Sequence, residues 1–218
     1  MEGIISIKEI GGILLAKDLE MKEIYIFGPQ FRNNHKNLTY AYENRTYSIT
    51  EPIRLSTEVG MLFAEFRVSL NWPENSPDLE DLSHLFEDCF GLEKVVMFKW
   101  PSNVKNISYM FRNCPSLKSV IGLERLDTTN VIDMSGVFEN CHGLRNLDLH
   151  WSTINVKDMK YLFSNCQSLV KVEGLPNWNT KLVRDMSFMF NECPLLNPIP
   201  KISTWNTENV VKITRMFF

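Results

Sequence analysis

Several things are missing from this chain, and each absence removes a class of function. Nowhere in its 218 residues do about 18 apolar residues run uninterrupted, so no membrane-spanning helix is expected. No two of the five cysteines lie closer than 25 positions, which removes the close C-x2-C pairs that build zinc sites. Gly11-Gly12 stands outside any G-x-G-x-x-G context, so no phosphate-cradling loop is expected. The four histidines, His35, His84, His142 and His150, show no spacing to a serine or cysteine that points to a catalytic triad, which geometry alone defines. A positive excess is missing too. Lys and Arg number 23 against 26 Asp and Glu, a formal charge of -3, and a general nucleic-acid binder needs clustered cations to displace counterions. Met1-Glu2-Gly3-Ile4-Ile5-Ser6-Ile7-Lys8-Glu9-Ile10 has no basic leader, and Lys8 and Glu9 break its apolar run, so it does not read as a signal peptide. As written, the chain is expected in the cytoplasm; it belongs at the cell surface or outside the cell if a leader has been removed. No enzyme activity, cofactor or metal is expected.

What is present is one pattern written repeatedly. Phe86, Phe111, Phe138, Phe163 and Phe190 are each followed three residues later by Cys89, Cys114, Cys141, Cys166 and Cys193, and Phe217 makes a sixth anchor. The anchors step by 25, 27, 25, 27 and 27 residues. Such a period marks a solenoid whose repeats bury their apolar faces by stacking on one another.

Around Phe111 the apolar slots are Val104, Ile107, Met110 and Cys114; around Phe138 they are Val131, Met134, Val137 and Cys141. Offsets of 0, 3, 6, 7 and 10 place one stripe on a helix of about 3.6 residues per turn. Asn103, Asn130, Asn155 and Asn209 stand where helix N-caps belong. The spacing therefore predicts a helix of roughly three turns per repeat. After each cysteine and a short break come Leu92, Leu117, Leu144, Leu169 and Leu196. Leu144-Arg145-Asn146-Leu147-Asp148-Leu149 then reads L-x-x-L-x-L, the strand signature of leucine-rich repeats. These strands are expected to stack in parallel at about 4.8 Å. Trp151, Trp178 and Trp205 fall in the return loops, with Leu126 in the same slot. The fold expected is an α/β solenoid of leucine-rich repeats, one helix and one short parallel strand each.

The stretch Leu126-Asp127-Thr128-Thr129-Asn130-Val131-Ile132-Asp133-Met134-Ser135-Gly136-Val137-Phe138-Glu139-Asn140-Cys141, with Trp178-Asn179-Thr180, resembles the BspA-like leucine-rich repeats of bacterial surface proteins and mycoplasma lipoproteins. The resemblance covers about residues 79–218. It implies binding to host or partner proteins and no shared catalytic residue.

Residues 1–77 carry no copy of the repeat and read as a small β-rich domain or cap; 78–218 hold five full repeats and a truncated sixth. Apolar runs at 23–27, 38–42, 47–49 and 61–70 are strand candidates. Glu43-Asn44-Arg45 is a hairpin turn candidate, and Trp72 to Pro77 a linker. This segment serves either as a lid on the first repeat or as a separate binding element. The cysteines read as small hydrophobes ending each stripe. Disulfides between them are disfavoured because packed helices lie about 8–10 Å apart, and five reduced thiols suit a reducing compartment. The methionines fall on core slots.

Function falls to the positions that vary. Lys94 and Val96, Ser119 and Ile121, Asn146 and Asp148, Lys171 and Glu173, Pro198 and Pro200 flank the inward strand residue of each repeat, and His150 lies just beyond a strand. Variation there is expected of a binding face and equally of drifting surface residues. The binding reading takes Lys94, Ser119, Asn146, Asp148, His150, Lys171 and Glu173 as contacts. Phe217 and Phe218 join them, on a C-terminal end expected to pack against a second copy or a partner. The expected function is non-catalytic protein binding, as a cytoplasmic inhibitor or adaptor of, for example, a nuclease or signalling enzyme. The alternatives are a cell-surface adhesion protein, or an enzyme with an unrecognised site in residues 1–77.

Overall fold

The computed structural model describes residues 80–196 and 202–218, and outside these the backbone of six strands. Those six are β1 (Ile4–Ile10), β2 (Ile13–Asp18), β3 (Glu23–Phe27), β4 (Leu38–Thr39), β5 (Thr46–Tyr47) and β6 (Arg67–Asn71). They are followed by β7 (Lys94–Lys99), β8 (Ser119–Ile121), β9 (Asn146–Asp148) and β10 (Lys171–Glu173). One sheet runs β1-β2-β3-β6-β7-β8, with β9 and β10 forming a second and β4 and β5 a third. β1, β2 and β3 pair antiparallel; β3, β6, β7 and β8 pair parallel. The parallel register aligns Ile24, Val68, Val95 and Val120. The sheet therefore crosses residue 77, where repeat and non-repeat sequence meet. The strand candidates at 23–27 and around Val68 and Leu70 coincide with β3 and β6, and β4 pairs with β5 on either side of the proposed hairpin turn. That turn, the 72–77 linker, His35, Gly11-Gly12, Pro198, Pro200 and the side chain of Val96 lie outside the described residues.

The expected helices are a correction. Among the described residues no α-helix occurs, and the Val-to-Cys segment of each repeat is a chain of linked turns. Three-residue turn bonds close it locally: the N–H of Leu85 donates to the Leu82 carbonyl and that of Cys89 to Phe86, at 3.3 and 3.2 Å. The intervening N–H groups leave the repeat. Those of Leu82, His84, Phe86 and Asp88 donate to the carbonyls of Asn106, Ser108, Met110 and Arg112 at 2.7–3.0 Å. The same four-bond set recurs down the stack, ending with Met186, Phe188, Phe190 and Glu192 on Lys212, Thr214, Met216 and Phe218. A helix consumes these donors internally; here they join neighbouring rungs. The rungs therefore sit at sheet spacing, and the apolar offsets that imitate a helix belong to successive turns.

This path requires left-handed backbone twice per rung. The residue two before each of the first five anchors, His84, Tyr109, Gly136, Tyr161 or Phe188, has φ of 58–60°, and Arg215, two before Phe217, has φ of 48°. The residue two after it, Asp88, Asn113, Asn140, Asn165 or Glu192, has φ of 55–62°. Asn and Asp tolerate this region because their short side chains bond locally. The asparagines do more: Asn113 Nδ2 donates to Asp88 Oδ1, Asn140 to Asn113 and Asn165 to Asn140, at 2.7, 2.6 and 2.9 Å. A second column, Asp81, Asn106, Asp133, Asp158, Asp185 and Lys212, is joined by parallel bridges. Each of its first five members accepts the N–H two residues on, at 2.8–2.9 Å. The residues expected to cap helices instead tie rungs together: Asn155 and Asn209 donate to the carbonyls of Thr129 and Lys181.

The core is a set of columns. Anchor rings stack from Phe86 to Phe217 with centroids 5.1–5.9 Å apart and planes within 13°. The thiols of Cys114, Cys141, Cys166 and Cys193 donate to the carbonyl of the preceding rung's anchor at 3.0–3.1 Å. None of the five cysteines forms a disulfide, but the distance argument from packed helices does not hold, since no α-helices separate them among the described residues. Indole N–H groups of Trp100, Trp151, Trp178 and Trp205 donate to carbonyls in the next or the preceding rung. Two of the 27-residue steps contain a 3-10 turn, Leu123–Arg125 or Leu175–Asn177, entered through Gly122 or Gly174. Both glycines have positive φ, and a Cβ on Gly174 would lie 2.3 Å from the Leu149 carbonyl.

Candidate binding face

The strand pair β9–β10 carries five of the expected contacts together. Leu147 and Val172 face inward and are buried, while Asn146, Asp148, Lys171 and Glu173 are exposed. Period-two alternation across a half-buried strand sets this division. The register places Lys171 beside Asn146 and Glu173 beside Asp148. His150 joins the patch, its Nε2 3.2 Å from Asp148 Oδ1, and Lys171 Nζ lies 2.6 Å from Glu173 Oε1. The hydrogen bond and charge of Lys171, aided by His150, lower the Glu173 carboxyl below its usual pKa. These pairs are solvent-exposed, so their net contribution to stability is small. The patch offers donors and acceptors of both signs on a rigid backbone.

The remaining candidates lie elsewhere. Lys94 and Ser119 pair with each other across β7 and β8 and are half-buried. Their sheet ends at β8, and β9 begins another. Phe217 stacks on Phe190, and Arg215 sits over the Phe218 ring. Both phenylalanines line an open cavity of about 730 Å³ with Phe190, Cys193, Leu195 and Leu196, separate from the β9–β10 patch.

Burial pushes the thiols of Cys114, Cys141 and Cys166 well up, and Cys193 up to about 11, which disfavours the thiolate nucleophile. Among the described residues, no cluster of His, Cys, Asp and Glu has metal-binding geometry. A polar clamp that sequence reasoning missed joins three rungs: Arg112 meets Glu87 and Glu139, each at 3.1 Å, with Glu87 also 2.6 Å from His84 Nδ1. The asparagine and aspartate columns were missed as well. Their signal was Asp or Asn at the fifth residue before each of the first five anchors and at the second after each of the first four.

Shared backbone ladders and stacked anchors define a repeat protein. The profile of the family described as "Mycoplasma protein of unknown function, DUF285" matches residues 80–172 and 169–218, well over half of the chain, and this chain belongs to that family. No curated protein matches it. Among solved structures, it is similar to a leucine rich cell surface protein from Faecalibacterium prausnitzii, at 17% identity and a TM-score of 0.44. That alignment takes in 96% of this chain and 55% of the other, so this chain spans about half of that protein's length.

Proposed function

We propose that this chain is a non-catalytic binding protein of the BspA-like leucine-rich-repeat kind, working at a cell surface and engaging a protein partner through the β9–β10 face. The observation that carries the reading is the in-register display of Asn146, Asp148, His150, Lys171 and Glu173 beside one another on a rigid ladder. Specificity at such a face comes from the pattern of charge rather than from one residue. Membership of a mycoplasma family and the resemblance to surface-protein repeats support adhesion over an intracellular inhibitor or adaptor role. The thiols, which suggest a reducing compartment in the sequence, carry less of that meaning here: Cys114, Cys141 and Cys166 are buried with raised pKa values, and so resist oxidation in either setting. The N-terminal strands, continuous with the repeat sheet through β6, act in this reading as a lid on its first rung. No helix among the described residues is long and apolar enough to cross a membrane.

The test is capture from two sources, biotinylated host-cell surface protein and cytoplasmic extract. Wild type should retain a surface component that the variant Asp148→Lys, Glu173→Lys loses, with both melting alike. Identical retention by the two proteins refutes the face. A partner recovered only from cytoplasm refutes the surface reading.

A further inference from the structure

We propose that the forward face of the sixth rung, away from β9–β10, docks a segment of the same repeat type carried by another polypeptide. In every earlier rung the N–H groups four before the anchor, two before it and at the anchor itself donate forward to carbonyls of the next rung. In the sixth these are the N–H groups of Ile213, Arg215 and Phe217, and among the described residues none has an acceptor. The carbonyls of Lys212, Thr214 and Met216, which alternate with them, are taken by the fifth rung. The face is a row of backbone donors with the alternate carbonyls turned away.

The side chains show the same vacancy. Ile107, Met134, Met159 and Met186 are fully buried, whereas Ile213 in the same slot is 55% exposed. Phe86, Phe111, Phe138 and Phe163 are fully buried, and Phe217 is largely open on its forward side. Each anchor carbonyl from Phe86 to Phe163 receives the thiol of the following rung; that of Phe190 receives none among the described residues. Cys193 is only half-buried where its four counterparts are sealed. Beside it lies the open cavity lined by Phe190, Leu195, Leu196, Phe217 and Phe218. In the earlier rungs a cysteine and, three residues on, a leucine fill the equivalent place.

Internal repetition therefore describes the occupant. It brings a small donor and a leucine three residues later for the cavity. About one period further on it brings carbonyls at alternate residues for the donor row, with apolar side chains over Ile213 and Phe217. Other occupants meet less of this. Two copies joined end to end set donors against donors, and burying those unpaired is costly. A second copy joined head to tail has no apolar face to offer, because Leu82, Leu85 and Phe86 of its first rung are already buried. A small apolar ligand fills the cavity and leaves the three N–H groups unmet.

The probe is a synthetic peptide one period long, residues 140–163 of this chain with serine for Cys141, added to the full chain. These residues follow Glu139, which holds the slot of Phe218. The peptide should bind saturably and slow labelling of Cys193 by a disulfide reagent severalfold. Phe217→Asp or Leu195→Asp in the full chain should remove that protection while melting as wild type does. Leu144→Asp in the peptide should remove it too, with the full chain unaltered. No saturable binding, or equal protection of Cys193 in wild type and both full-chain variants, overturns the proposal. Protection of Cys193 by a fatty acid but not by the peptide assigns the cavity to a small apolar ligand and overturns it. Sedimentation of the chain alone as a dimer that Phe217→Asp dissolves assigns the face to a second copy and also overturns it.

Discussion

Truncating Phe138 to alanine removes a ring that is fully buried and stacked on both sides. Its centroid lies 5.7 Å from Phe111, 5.9 Å from Phe163 and 6.2 Å from Trp151. The neighbouring rungs are held at their spacing by backbone bonds above and below, so the site cannot collapse around the loss. Phe→Ala changes in such sites cost about 3–5 kcal/mol. For a chain of this size each kcal/mol lowers Tm by about 2–4 °C, which puts the expected fall at about 6–20 °C. Phe217→Ala should cost less, because that ring is 42% exposed and, among the described residues, stacks on Phe190 alone. Asp148→Ala, on the exposed face, should stay within about 2 °C of wild type. Scanning calorimetry of the three variants decides the matter. Equal Tm values for Phe138→Ala and Asp148→Ala would refute the division of each rung into core and display positions.

Three further outcomes follow from the same geometry. Gly174→Ala should lower Tm by several degrees, since φ of 91° and a Cβ 2.3 Å from the Leu149 carbonyl force backbone movement; a melt within about 1 °C of wild type would contradict it. Native thiol labelling by a disulfide reagent should be slow for Cys114, Cys141 and Cys166, faster for half-buried Cys193, and rapid for all after unfolding; fast native labelling of Cys141 would refute the sealed column. Burial raises the Glu139 carboxyl pKa more than Arg112 lowers it. The folded chain thus holds this proton more tightly than the unfolded chain, so its ionisation removes stability as pH rises from the unfolded value through the folded one. Glu139→Gln should abolish that component of the stability–pH curve, and a carboxyl NMR titration of wild type that shows Glu139 below the ordinary glutamate value would refute the sign.

Much of this arrangement was legible beforehand, and the part that was not has a clear cause. The Phe-x-x-Cys period located every anchor because stacking demands one apolar residue at each turn of the chain, whatever the backbone does between. The β9–β10 face was legible because alternation about Leu147 and Val172 has only one inward solution. The helix expectation failed because offsets of 3 and 4 do not distinguish an α-helix from linked three-residue turns. The distinguishing signal lay in the polar residues. Asn113, Asn140 and Asn165 recur where the chain must turn left-handed, and an uninterrupted helix has no use for such residues at fixed intervals. The cysteines were correctly placed in the core for an incorrect reason: helix spacing does not separate them, and their thiols are engaged with anchor carbonyls. Lys94 and Ser119 were grouped with the later strands because a sequence period does not reveal that the sheet is interrupted after β8.

The four bonds that join one rung to the next also dictate how the protein bears load. A force sliding neighbouring rungs past each other strains all four at once, with the Asp–Asn bridge beside them, and is resisted collectively. A force drawing the chain out from an end meets them rung by rung, as thread leaves a spool. Each rung released frees 25 or 27 residues, and at about 3.3–3.6 Å per extended residue the chain lengthens by roughly 80–100 Å. Under tension along its contour the molecule is therefore a series of near-equal extensible links. It yields length in measured steps, while the rungs not yet reached keep their display surface intact.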